Sequence, residues 1–217
     1  LFRAQSFGAS STLSTLGTTS CENGQFSTVL NLESLADGPI TVHLYSAKSD
    51  RLVNSDELEK DTQPPTASLL APPPAVNSLA TVSSAVENID TVSYSFKVGT
   101  QASTDCSLAS GYSSWTSADA PLVQSLAAEA DGPIKLCVIG RDRAGNAQSY
   151  SQATVLEWIK DTTVPTATIN NMPGSFTNLA NFTAMIGGTG VTHYRAKFGL
   201  ANSLDCASTT GYSADVP

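Results

Sequence analysis

An all-β chain built from tandem β-sandwich repeats of about 100 residues is the architecture this sequence predicts. Three observations predict it. Charged residues make up only 14% of the 217, in a chain rich in Ser, Thr, Ala and Gly, which is the texture of extracellular β-proteins. Leu, Val and Ile arrive in short bursts that alternate with polar residues, not at helical spacing. Whole stretches of sequence then recur one hundred positions further on without a gap.

The recurrence sets the domain organisation. Lys60-Asp61-Thr62-Gln63-Pro64-Pro65-Thr66-Ala67 returns as Lys160-Asp161-Thr162-Thr163-Val164-Pro165-Thr166-Ala167, and Ser78-Leu79-Ala80 as Asn178-Leu179-Ala180. In the same register Tyr94, Lys97, Gly99, Ser103, Asp105, Cys106, Gly111, Tyr112 and Ser113 each reappear one hundred higher. A second correspondence, offset by 94, links Ala36-Asp37-Gly38-Pro39-Ile40 to Ala130-Asp131-Gly132-Pro133-Ile134. The two Lys-Asp-Thr sites are therefore joints. Residues 1–60 read as the C-terminal part of a first repeat, 61–161 as a complete central repeat, and 162–217 as the N-terminal part of a third.

The elements follow in order. Ala80, Val82, Ser84 and Val86 match Ala180, Phe182, Ala184 and Ile186, the period-2 pattern of a strand with one face in a core. Tyr94, Phe96 and Val98 form the next stripe, with Ser93, Ser95 and Lys97 expected to face water. Ile134, Leu136 and Val138 form a third, answered by Ile40, Val42 and Leu44, and a last strand is expected over about 153–159. Asp131-Gly132 supplies the turn into the late strand and Ala144-Gly145-Asn146 the turn out of it. Gly187-Gly188-Thr189-Gly190 reads as a turn between strands and not as a phosphate loop, because no helix follows. About seven short strands in a unit of this size is the count of an immunoglobulin-like sandwich, so the central repeat is expected to fold alone as a monomer.

At this point a resemblance becomes specific. The run Asp131-Gly132-Pro133-Ile134-Lys135-Leu136-Cys137-Val138-Ile139-Gly140-Arg141-Asp142-Arg143-Ala144-Gly145-Asn146, followed by Lys160-Asp161-Thr162-Thr163-Val164-Pro165-Thr166, resembles the bacterial Ig-like repeats of large surface proteins and adhesins. Those repeats read Asp-Gly, an alternating strand, Asp-x-Ala-Gly-Asn, then Asp-Thr-x-x-Pro-Thr at the joint. The similarity runs from about residue 26 onward. It implies the sandwich fold and a stalk or display role at the bacterial cell surface or outside the cell, but no particular ligand. The first repeat departs from the pattern, with Ser46-Ala47-Lys48-Ser49-Asp50 where the Asp-x-Ala-Gly-Asn turn would stand.

The cysteines are not at Cys-x-x-Cys spacing, so disulfides in an oxidising compartment are expected in place of zinc. If Ile134, Leu136 and Val138 face the core, then Lys135, Cys137 and Ile139 face away from it. An outward Cys beside an outward Ile needs a cover, and the stretch of about 100–120, which carries Cys106, is the obvious one. A Cys106–Cys137 disulfide is expected, closing a loop of about 31 residues. Cys21 and Cys206 are expected to have no intradomain partner, since the repeats holding them are cut short at either end. A window on a longer array accounts for this; head-to-tail strand exchange between chains, bringing Cys206 to Cys21 of a neighbour, is the less favoured account.

Candidate sites are weighed against plainer roles. Asp142, Asn146 and Asp161 can offer oxygens to calcium, which takes six to eight hard ligands, but Asp and Asn are also standard turn formers and that reading is preferred. His43 and His193 have no catalytic partner at recognisable spacing and read as surface residues. Tyr112, Trp115 and Tyr212 can meet a sugar or protein surface, or cap a sandwich edge, and the cap is preferred. No Gly-x-Ser-x-Gly elbow occurs, and Asn181-Phe182-Thr183 matches a glycosylation acceptor by pattern only.

The net charge of −8, with only 11 Lys and Arg, argues against a nucleic-acid partner. No apolar run is long enough to insert in a bilayer. The reading is a non-enzymatic structural or adhesive stalk or filament module of a secreted or surface-displayed bacterial protein, without a required cofactor. Its partners would be a protein or glycan surface, or neighbouring copies of itself. The alternative is a carbohydrate- or protein-binding accessory module of a larger secreted enzyme.

Overall fold

The computed structural model describes residues 2–6, 14–15, 29, 31–46, 49, 51–87 and 89–217. Among them there is no α-helix, and the chain is nearly all β. By compactness it divides into residues 1–159 and 160–217.

Within the first unit, residues up to 60 form one antiparallel sheet. Strands β1 (Phe2–Ser6), β2 (Ser14–Thr15), β3 (Gly38–Ser46) and β4 (Arg51–Lys60) lie in the order β2-β1-β3-β4. Gly38, at φ +127, opens β3 from the Asp-Gly turn, a conformation that favours glycine. Ile40 is fully buried and Val42 half-buried, as the alternation required.

The rest of the first unit holds β5 (Val76–Asn77), β6 (Thr81–Ser84), β7 (Ser93–Thr100), β8 (Thr116–Ser117), β9 (Leu122–Ser125), β10 (Gly132–Arg141) and β11 (Thr154–Lys160). Five of these make a sheet in the order β5-β11-β10-β7-β8, and β6 pairs antiparallel with β9. Residues 68–70 extend the smaller sheet: Leu69 bridges Val86, and the Leu70 and Glu87 amides donate to Ala85 O and Ser68 O at 3.0 and 2.9 Å. The inner faces of the two sheets share one core. Val82 and Leu122 come from the smaller sheet and Tyr94, Ile134, Leu136, Val138 and Trp158 from the larger, an arrangement consistent with a β-sandwich.

The long central strand β10 is buried on both faces. Ile134, Leu136 and Val138 enter the core, whereas Cys137 and Ile139 are equally buried on the opposite side and belong to no part of that core. The outer face of β7 is covered too. Ser93 and Ser95, expected in water, are buried, and Lys97 is half-buried. The chain between β7 and β8 reaches them, with the Ser95 hydroxyl donating to Ser113 O at 2.6 Å. A two-residue alternation reports which side chains share a face, but not whether a distant loop folds over that face.

Two registers carry the sequence correspondence into three dimensions. Phe2 faces Leu44 and Ser6 faces Ile40 across β1 and β3, while Phe96 faces Val138 and Thr100 faces Ile134 across β7 and β10, each position 94 higher. Leu69 bridges Val86 as Ile169 pairs with Ile186, each one hundred higher.

The second unit holds β12 (Thr166–Asn170) and β13 (Met185–Thr189) as an antiparallel pair. Here the sequence reading needs correction. Residues 181–184, expected to be strand like 81–84, are not, and Gly187, Gly188 and Thr189, expected as a turn, complete β13. The reason lies in partnership. Strand β6 is held by β9, whereas no strand pairs with 181–184 among the described residues.

Leu136→Ala, in the buried centre of β10, is expected to destabilise the first unit by about 2 to 5 kcal/mol in denaturant titration. Val123→Ala, on the exposed face of β9, is expected to stay within about 0.5 kcal/mol in the same assay.

Candidate functional site: the cysteine loop and the joint

The loop between β7 and β8 is built by hydrogen bonds close in sequence. The amides of Ser103 and Thr104 donate to Thr100 O at 3.1 and 3.0 Å, turning the chain as it leaves β7. The Asp105 carboxylate then accepts the Ser107 amide at 2.9 Å and the Ser107 hydroxyl at 2.7 Å, closing an Asx turn. These bonds from Ser107 hold the Asp105 carboxyl below its ordinary range. Gly111, at φ +85, lets the chain return to β7, where the Ser113 amide donates to Phe96 O at 2.7 Å.

Lys97 reaches up from β7 to bind the loop's underside. Its ammonium donates to Leu108 O at 2.7 Å and Ser110 O at 3.2 Å, and stands 4.7 Å from the centre of the Tyr112 ring. The Tyr112 hydroxyl donates to Cys106 O at 2.9 Å, and its ring packs 5.0 Å from that of Tyr150. Burial raises the Tyr112 hydroxyl pKa to about 12, with Tyr150 and Asp105 adding to the rise. Trp115 is half-buried under the Arg141 guanidinium, 4.5 Å from its centre. Both rings therefore cap the sheet from outside rather than stand open to a ligand.

The loop is bolted to β10 by a Cys106–Cys137 disulfide, with the two Cα atoms 5.5 Å apart. This is the pairing the outward face of Cys137 implied. Such a bond is characteristic of oxidising environments. Cys206 carries an exposed free thiol, and Cys21 lies outside the described residues.

The second constellation is the turn leaving β10. Asp142, almost wholly buried, accepts the Gly145 and Asn146 amides at 2.7 and 2.9 Å on one oxygen and the Asn146 side-chain amide at 2.8 Å on the other. The same Asn146 amide donates to Asp61 O at 3.0 Å, so the turn grips the joint. From the other side Thr62 donates to the Asp37 carboxylate at 2.8 Å, and Lys60 Nζ donates to Leu35 O. Asp161 belongs to the second unit, where its carboxylate accepts the Thr163 amide at 3.0 Å. Among the described residues, no group of three or more His, Cys, Asp and Glu is gathered for a metal. His43 is half-buried in β3, between β1 and β4, rather than on the surface; His193 is exposed, with Nδ1 3.2 Å from the Thr192 hydroxyl.

Sequence reasoning missed Gln148 and Gly140. Buried Gln148 accepts the Ala67 and Gly140 amides, each at 3.1 Å, and donates to Gln152 O at 2.5 Å, joining the first segment past the joint to β10. A Cβ at Gly140 would stand 2.9 Å from the Thr91 hydroxyl and 3.3 Å from Pro65 Cγ, so a larger residue would displace the Thr91 side chain and crowd the proline. A lone glutamine carries no periodic signal, and nothing local could have disclosed its partners.

No protein-family model, curated protein or solved structure matches the chain. No helix among the described residues is long and apolar enough to cross a membrane.

Replacing Cys106 and Cys137 together by Ser is expected to lower stability by about 3 to 4 kcal/mol, the chain entropy of the released loop, in equilibrium unfolding without reductant. Tyr112 gives a pH signature. The fold favours its protonated form, so that contribution is complete below pH 10 and is lost as pH rises from about 10 towards about 12. Burial raises the Tyr94 hydroxyl as well, so ultraviolet phenolate titration should show late-ionising tyrosine that Tyr112→Phe reduces but does not abolish.

Proposed function

We propose that this chain is a run of tandem immunoglobulin-like sandwich modules acting as a structural and adhesive stalk outside a bacterial cell, without enzymatic activity. One observation carries the reading: sequence correspondences at two offsets coincide with the same strand registers and the same loop hydrogen bonds. Strand order β5-β11-β10-β7-β8 against β6-β9 supports the module assignment. A stalk needs domains whose folds resist opening and whose joints have little slack. The disulfide from the loop after β7 to β10 supports the first. For the second, Asp61 and Thr62 are held by Asn146 and Asp37, and Pro65 is packed on Gly140. The polar groups near the loop are spent on holding it, which favours display of a surface over chemistry upon a substrate.

Brief protease treatment of intact cells that make the protein, followed by mass spectrometry of the released peptides, tests the location. Peptides of this chain are expected in the shaved fraction, and their recovery only after lysis would overturn the proposal. Sequencing the remaining peptides of the same polypeptide separates stalk from accessory module: further Asp-Thr-x-x-Pro-Thr joints support the stalk, and a catalytic domain supports the module.

A further inference from the structure

Resting on the adhesive part of that reading, we propose that one end of the central sandwich binds a uronic acid residue of an acidic polysaccharide, holding its carboxylate on Arg141 and Arg143.

The site lies where three neighbouring strands end together. Arg141 of β10 stands opposite Ser93 of β7, and Ser93 opposite Ser117 of β8, so the three side chains form one row on the outer face of the larger sheet. The backbone beneath is tied at both crossings: the Val92 amide donates to Arg141 O at 2.9 Å, and the Ala118 amide to Val92 O at 3.0 Å. Beside this row opens a cavity of 670 Å³, within the range of about 300 to 1,000 Å³ usual for ligand clefts. Thr91, Ser93, Ser117 and Asp119 line it together with Arg141 and Arg143. Strand ends fix most of these groups in place.

The arginines set the charge of the ligand. Arg141 is half-buried, its guanidinium 4.5 Å from the centre of the Trp115 ring and its Nε donating to the Ser93 hydroxyl at 3.3 Å. These two contacts fix the plane of the fork and leave its terminal nitrogens to a bidentate acceptor. Arg143 is exposed two residues on. Neither guanidinium forms an ion pair among the described residues, in a chain with 19 Asp and Glu against 11 Lys and Arg. Asp142, between them in sequence, is turned inward, its oxygens accepting the amides of Gly145 and Asn146.

The corresponding face one hundred residues on shows what a guanidinium there otherwise finds. The loop of 200–213 repeats most bonds of 100–113, with Lys197 Nζ donating to Ser208 O at 2.8 Å and Thr210 O at 3.2 Å and the Tyr212 hydroxyl to Cys206 O at 3.0 Å. Asp215 stands there in place of Trp115, and it takes Arg195 as a fork, through Nε and, at 3.0 Å, through Nη2. In the central repeat the ring supports the arginine and the carboxylate is left to the ligand.

The rest of the lining selects the kind of acid. Asp119 disfavours a more highly charged anion such as phosphate by like-charge repulsion. A carboxylate among Ser and Thr hydroxyls suits a molecule that carries hydroxyls as well as an acid. Little apolar surface is offered to a peptide anchor, Val92 and Ala118 being the aliphatic side chains in the lining. A uronate meets both requirements. At positions 94 lower the first repeat has Ala47 and Ser49, so the two arginines distinguish the central repeat from it.

The test is calorimetric titration of the 217-residue chain with trigalacturonate, the neutral galactose trimer of the same linkage, triglutamate and inorganic phosphate. Trigalacturonate should bind at least about tenfold more tightly than any of the other three, through charge-assisted bonds to the two forks. Arg141→Gln and Arg143→Gln should each weaken it about tenfold, and Arg141→Lys should not restore it, because an ammonium lacks the planar fork. Arg51→Gln, on exposed β4, should leave binding unchanged. Arg143 is exposed on a turn, so Arg143→Gln should unfold at the parent's denaturant midpoint, and its loss of binding then reports the site rather than the fold. Binding of trigalacturonate no tighter than that of the neutral trimer, or unchanged in both Gln variants, would overturn the proposal. So would triglutamate or phosphate binding as tightly, which would make this a peptide or general anion site. Either failure leaves the stalk reading to the shaving experiment, and a protein absent from the shaved fraction that still selects the uronate keeps the site and loses the stalk.

Discussion

The pairing of β7 with β10 is the constraint on which the rest of the first unit depends. Eight consecutive residue pairs hold the two strands together, from Ile134 opposite Thr100 to Arg141 opposite Ser93. A strand buried on both faces must satisfy its backbone entirely through its neighbours, since water reaches neither side. β10 does so between β7 and β11, and in return it offers Ile134, Leu136 and Val138 to the inner core and Cys137 and Ile139 to the outer cover. The disulfide, the Tyr112 and Trp115 caps, and the Asp142 turn all attach to this one strand or to the loop lying on it.

Comparison of residues 93–117 with 193–217 separates local from non-local forces within one chain. Most hydrogen bonds of the cysteine loop form in both, because their partners lie within about one turn or one hairpin of each other and depend on Asp, Ser and Gly side chains or conformations, whereas the Ser107 hydroxyl bond to Asp105 has no counterpart at Ala207. Burial does not follow. Ala67 and Val82 are buried, whereas Ala167 and Phe182 are exposed, because burial of the first pair is supplied by strands remote in sequence. The same dependence explains why 81–84 is a strand and 181–184 is not.

Charged groups here serve geometry. Asp105 and Asp142 each close a turn through backbone amides, Asp37 ties the joint, and Lys97 fills the carbonyl-lined underside of a loop.

Much of this was legible in the sequence, and for a physical reason. Period-2 alternation reports faces, so the inner stripes of Tyr94 and of Ile134, Leu136 and Val138 were readable, and with them the outward placement of Cys137 that pointed to Cys106. The recurrence of Lys-Asp-Thr and Pro at a constant offset was readable, whereas the division of the chain by compactness falls once, between residues 159 and 160. Turn glycines at 132 and 145 were readable because positive φ leaves few alternatives to Gly. Tertiary structure alone decided the burial of Ser93 and Ser95, the clamp of Asn146 on Asp61, the bridging by Gln148 and the close approach of Pro65 to Gly140. Each of these joins residues far apart in the chain or depends on how a loop is folded, and neither is encoded in the alternation of one strand.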